Sequence, residues 1–425
     1  MFGAKSNSQD AAAVVYKHGD RPADTYSPVY FLAALGTGGI AVDFFMYLMF
    51  WIPHPGRSVP VFEDIADAWA KGFAGTQAAI VIAMGGILVS AFIHLKAMVW
   101  NLRCFIAYRK TPAYDALRKT NNESTLLAMP LAMAMSVNVI FIVFLVYIPG
   151  LWSVVEYIFP LALVAFSFLA LLAFSMIAQF MGRVLVSGDE APTKSFAQLT
   201  PAFAVAMIAV GFAAPAAMSS SPGTVVTSMV FSTILGVFAI LYTLFGAIAA
   251  FSSMLHYGTT RESVPTLMII VPIVTVLGIM FMRQDHGLYT TYDVHAEAGN
   301  TMIFLARMLS IQLAFMFFGA FMLRAQGYFQ DFVFGQNTSP GSYALVCPFV
   351  AMAVMIHFFA NKGLVAAGAV TKFDGAYWFV SGLALASQAV AIALVVRLNM
   401  QHFGRHAATS QPSVVTAAKP STTEV

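Results

Sequence analysis

Ten stretches of about twenty or more mostly apolar residues run through this chain, each long enough to cross the hydrocarbon core of a bilayer. They cover approximately residues 28 to 52, 77 to 99, 126 to 148, 152 to 181, 198 to 218, 224 to 254, 264 to 282, 300 to 323, 342 to 361 and 376 to 398. Of 425 residues, 59% are hydrophobic and 10% charged, too few polar side chains to cover a fold of this size in water. A backbone in lipid must satisfy its own hydrogen bonds, so the runs are expected to be helices. The expected fold class is all-α integral membrane, with ten transmembrane helices.

Three segments follow. Residues 1–27 are polar and include Asp10, Asp20 and Asp24; without a short apolar core and a small-residue cleavage site they are not expected to be a cleaved signal peptide. They are expected to form a cytoplasmic tail. Residues 28–398 form the transmembrane domain, and 399–425, with Ser410, Pro412, Pro420 and Thr422, have too little apolar content to fold. With the N-terminus in the cytoplasm, fifteen Lys and Arg fall on the inner side and five on the outer, while Lys96 and Arg307 lie inside spans. That asymmetry predicts both termini cytoplasmic in an inner (plasma) membrane. The net charge of +3 is too small to suggest a nucleic-acid partner.

The connections after spans three and five are only Pro149 to Leu151 and Ser219 to Gly223, so each must join an antiparallel pair. Extended along the chain, the pairing predicts five helical hairpins. Proline separates their members: odd spans hold Pro130, Pro201, Pro215, Pro265, Pro272 and Pro348, whereas spans two, six, eight and ten hold none inside. A proline within a helix frees a carbonyl, which lipid tolerates only beside protein or a water-filled cavity. Odd spans are therefore expected to be broken helices around a central pore, Gly36, Gly38 and Gly39 giving span one the same weakness. Between spans one and two, Phe62, Ile65, Trp69 and Phe73 recur at helical spacing, as in an interfacial amphipathic helix or a lid packed on the protein.

Ionisable groups within spans are costly and mark candidate sites. Asp43, Arg307 and His357 fall in the outer half, and His94, Lys96 and Gln179 in the inner half. Asn138 and Gln312 are the strongly polar residues near the midplane, a sparse set for a coupled pump but sufficient for a pore that lets an ion leave. Asp43 with Arg307 is the best candidate pair, as a structural ion pair between helices one and eight or as part of a site. Lys96 can snorkel to the interface. His94 and His357 lie at opposite depths, more than about 15 Å apart at about 1.5 Å per residue, so one haem cannot be held by both and no cofactor is expected. Arg283 to Ala298, with Asp285, His286, Asp293, His295 and Glu297, has no diagnostic metal-ligand spacing and reads as a solvated acidic outer loop. Of the two cysteines, Cys104 and Cys347, the second lies beside a proline, as a small hydrophobe or as a thiol lining the pore.

Ten spans, five hairpins, broken odd helices and the run Cys347-Pro348-Phe349-Val350-Ala351-Met352-Ala353 resemble the SLAC1/TehA superfamily of anion channels and tellurite-resistance or dicarboxylate transporters. The chain also resembles a bacterial TsoY-type branch in which a cysteine or selenocysteine is a family feature. The resemblance implies a homotrimer in a bacterial inner membrane, held among membrane lipid. It also implies a small anion passing a central pore lined by odd helices, including Pro130, Pro201, Pro272 and Asn138. An aromatic gate would stand at Cys347, Pro348 and Phe349, although Cys347 occupies the place of the plugging aromatic. The alternative is a membrane redox or thiol-dependent protein using Cys347, or a haem- or quinone-binding subunit. Reporter fusions after Ala113 and Pro222 are expected to report cytoplasm and exterior respectively; one side for both would refute the topology.

Overall fold

Every odd-numbered span starts in the same way. A serine or threonine, Ser27, Thr120, Ser195, Thr260 or Ser339, stands at the cap, followed by a 3-10 segment that turns into an α-helix. The hydroxyls of Ser27, Ser195 and Ser339 accept the amides of Val29, Ala197 and Gly341 at 3.3 Å, answering donors that a helix start leaves unpaired. The α-helical portions begin at Phe31, Ala128, Thr200, Ile270 and Val346. Pro201 is thus the second residue of its helix, and Pro130, Pro272 and Pro348 are each the third. Within a first turn the missing N–H has no intrahelical acceptor to lose. These four prolines stand where the 3-10 segment turns into the α-helix, while Pro215 lies inside the α-helix of span five.

The computed structural model describes residues 26–187, 195–294 and 297–404. Nearly all of the two tails expected from the sequence lies outside these residues. Among the described residues ten helices are long and apolar enough to cross a membrane: Pro28–Trp51, Ala74–Tyr108, Asn121–Tyr147, Leu151–Val186, Phe196–Met218, Pro222–Tyr257, Arg261–Tyr292, Ala298–Ala325, Pro340–Val365 and Gly375–Phe403. They are spans one to ten. Most outrun their apolar core: span two has 35 residues, about 50 Å at 1.5 Å per residue, and continues through Asn101 and Arg103. Span ten runs to Phe403, so residues 399–403, expected in a disordered tail, are helical.

Burial divides the spans by parity. In their most apolar windows the odd spans are 50 to 89% buried and the even spans 17 to 33%. Leu88, Phe92, Phe245 and Phe321, all on even spans, are exposed, an arrangement stable only in an apolar solvent. Span one packs on two, five on six and nine on ten, while seven lies against five, eight and nine. Spans one and nine run side by side where glycine permits it: a Cβ on Gly39 would stand 2.7 Å from Val350 Cγ1, and one on Gly36 2.8 Å from Val346 Cγ1. The short helix Phe62–Lys71 covers the far end, with Ile65 and Ala68 buried and Trp69 exposed. Its Asp64 binds Arg57 at 2.5 Å and accepts the Val61 amide at 3.0 Å, so one face packs on the protein and the other offers an interfacial tryptophan.

Gly39→Leu is expected to lower unfolding stability in detergent by about 1–3 kcal/mol through overpacking. Gly85→Ala, with nothing within 4 Å of the new Cβ, is expected to leave it unchanged or raise it by up to about 1 kcal/mol; equal effects would contradict the close approach.

Candidate functional site: a cavity with a cationic rim

All five odd spans contribute walls to one cavity of about 610 Å³. Gly36, Gly39, Val42 and Met46 face it from span one, Met135 and Asn138 from three, Phe203 and Met207 from five, Pro272 and Thr275 from seven, and Cys347, Val350 and Val354 from nine. Glycine matters here for backbone space: span nine can approach span one only because positions 36 and 39 carry no Cβ. At the amino-terminal ends of the odd spans Tyr30, Phe31, Leu127, Phe196 and Tyr343 are fully buried, with Tyr30 edge-on to Tyr343 at 6.1 Å. The cavity is closed on that side. At the other end it reaches the exposed residues Asp285, Tyr289, Lys362 and Ala366.

The wall is mostly hydrocarbon, and its full charges gather at this open end. Arg283 on span seven reaches towards span five, where its Nη1 donates to the Val210 carbonyl at 2.6 Å. Lys362 enters from the π-helical segment Phe359–Val365 that ends span nine. Among the described residues neither forms an ion pair with a carboxylate, and Asp285 is the single acidic group on the wall. His286 shares the wall with them. Just outside the spans, burial pushes the Lys372 ammonium down, and Lys362 adds to the shift. Burial likewise pushes the His54 imidazole down; the Ile52 carbonyl and Asp64 pull it up, and both lysines press it down again. On the wall Arg283 and Lys362 face the single carboxylate of Asp285, and a mouth with this excess of positive charge concentrates anions.

Of the residues expected at a pore or gate, Cys347, Pro272 and Asn138 lie on the cavity wall. Pro130, Pro201, Pro348 and Phe349 are not on its wall. Two residues turn a helix by about 200°, so with Cys347 facing the cavity, Phe349 faces elsewhere; its carbonyl accepts the Ser387 hydroxyl of span ten at 2.7 Å. Asn138 turns its amide towards Met207 Sδ at 3.8 Å.

The expected Asp43–Arg307 ion pair is not formed. Asp43 is fully buried with neither oxygen hydrogen-bonded, while Arg307 is exposed on span eight, which packs on seven and nine. Lys96 is exposed on span two, where snorkelling is open to it. His94 spends both nitrogens on protein, Nδ1 at 2.7 Å from the Ala34 carbonyl and Nε2 at 2.8 Å from Ser136 Oγ, which removes it as an axial haem ligand. His357 is buried among Tyr47, Phe50 and Trp51, with centroids at 6.0, 6.5 and 6.1 Å. Gln312 is buried and donates to the Val271 carbonyl and to Thr275 Oγ1, tying span eight to seven.

Arg283, His286 and Lys362 were not among the site residues expected from the sequence. Arg283 to Tyr292, expected in an acidic loop, is helix; Gly287 lets it run against span five, where a Cβ would stand 2.4 Å from the Ala216 carbonyl. Met282, Arg283, His286 and Tyr289 all meet the cavity, a 3–4 residue spacing that continues the helical period beyond the apolar run. His295 lies outside the described residues.

A small neutral thiol reagent is expected to modify Cys347 in Cys104→Ala protein, and a bulky charged one is not; mass spectrometry checks this, and no modification by the small reagent would show that the cavity is not reached. No family model matches the chain, and neither a curated protein nor a solved structure matches it.

Proposed function

We propose that the protein passes a small anion across the membrane, along a path enclosed by the odd-numbered spans. The observation that carries the reading is the cavity itself: five spans build its apolar wall, and Arg283 and Lys362 stand at its open end with no carboxylate paired to either. The cations attract an anion and replace part of its hydration, while the apolar wall below holds it weakly enough for release. Passage requires the closely packed amino-terminal ends of the odd spans to open, because the cavity wall includes no exposed residue there. In this reading the spans form five hairpins, the open end faces the exterior and both termini face the cytoplasm of a bacterial inner membrane. The resemblance to the SLAC1/TehA superfamily supports that arrangement and extends it to a homotrimer.

A second reading keeps one observation, Cys347 on the cavity wall: a thiol there could exchange with a sulfur, selenium or metalloid species entering from the mouth.

Reconstitution into proteoliposomes tests the first reading. Halide, nitrate, dicarboxylate and sulfur-oxyanion flux would be measured with and without a pH gradient. Arg283→Gln and Lys362→Gln are each expected to reduce flux about tenfold, equivalent to about 1.4 kcal/mol in barrier or affinity. Phe349→Ala, away from the wall, is expected to change it little. Wild-type protein that moves none of these anions would remove the reading, and flux abolished only by Cys347→Ala would favour the thiol.

A further inference from the structure

One carboxyl group inside the membrane has no charge and no hydrogen bond to answer it. Asp43, midway along span one, is 0% exposed and both its oxygens lack a partner. It does not share the cavity: Gly39, Val42 and Met46 face that space, and Asp43 is not on the wall. One turn on, Tyr47 donates its hydroxyl to Gln388 Oε1 of span ten at 2.5 Å. Gln388 Nε2 is buried and unpartnered, as are both ring nitrogens of His357 on span nine, whose ring packs on Tyr47.

The other titratable groups that packed elements present to span one are few. They are His94 on span two with both nitrogens engaged, Cys347 and Tyr343 on nine, and Tyr377 and His402 on ten. On span three, Tyr147 is committed to the Met84 carbonyl. Arg57 is paired with Asp64 beyond the end of span one, and Arg283 and Lys362 project from other spans onto the cavity wall.

A bare carboxylate in such a place costs more than a marginally stable fold can hold. A hard cation would need about six oxygen ligands, yet the Tyr47 and Gln388 oxygens already bind each other. One proton is enough. We propose that Asp43 is a proton-binding site behind the cavity wall, and that its neutral form lets span one close against nine and ten. Losing the proton forces the carboxylate to take up water, and this loosens the wall that spans one and nine share at Gly39 and Val350. The site is thus a device by which pH acts on the cavity.

Isotope-edited infrared spectroscopy on the purified full chain with ¹³C-labelled aspartate tests this without any transport assay, so its failure is distinguishable from failure of the anion reading. Expected is a protonated-carboxyl band at neutral pH, lost in Asp43→Asn and lost from the wild type on raising the pH. That loss should come with a fall in thermal midpoint that Asp43→Asn, isosteric with the neutral acid, does not show. No such band in the wild type at neutral pH overturns the proposal, and this result needs no variant to fold. An unchanged band in Asp43→Asn, or the same alkaline fall in both proteins, overturns it as well.

Discussion

A backbone amide or carbonyl in hydrocarbon has no water to turn to, and the architecture of this protein follows from how each span meets that constraint. Helix interiors satisfy themselves; helix starts do not, because the first turns leave donors unpaired. Every odd span starts with a hydroxyl residue at the cap and a 3-10 turn; in spans one, five and nine that hydroxyl accepts a backbone amide, and in spans three, five, seven and nine a proline lies within the first turn of α-helix.

With their starts settled, the odd spans can afford the interior. Their contact surfaces use small residues, as membrane helices must when no hydrophobic force drives them together; Gly36 and Gly39 let span nine lie against span one. Even spans carry the large exposed side chains that meet lipid. At the amino-terminal ends of the odd spans Tyr30, Phe31 and Tyr343 are fully buried and pack on spans two and ten, and towards the other end the walls part into the cavity. The cations stand where the cavity opens, and their field reaches into the apolar space.

The polar groups within the spans divide by function. His94, Gln312 and Thr275 spend their hydrogen bonds linking neighbouring helices, a structural use. Arg283 keeps one bond, to the Val210 carbonyl, and otherwise faces the cavity. Asp43 and His357 bind nothing around them, and in a low-dielectric interior an unanswered polar group is the costly exception that calls for a role.

Sequence alone determined the number of spans and the division between them, because lipid demands long apolar runs whatever the neighbours are; the contrast in proline content between odd and even spans anticipated which would be buried. It also placed Cys347, Pro272 and Asn138 among the wall residues. It misjudged the Asp43–Arg307 pair because depth along a helix says nothing about which helix stands opposite. It could not say which of Cys347 and Phe349 faces the cavity, because one proline cannot report which way a helix is rotated. Arg283, His286 and Lys362 remained hidden in what looked like loop and helix end, since hydropathy falls where polar groups begin while helical hydrogen bonding continues. Which side chains share a cavity depends on rotation and on contacts between residues far apart in the chain, and only the tertiary packing of the odd spans decided that.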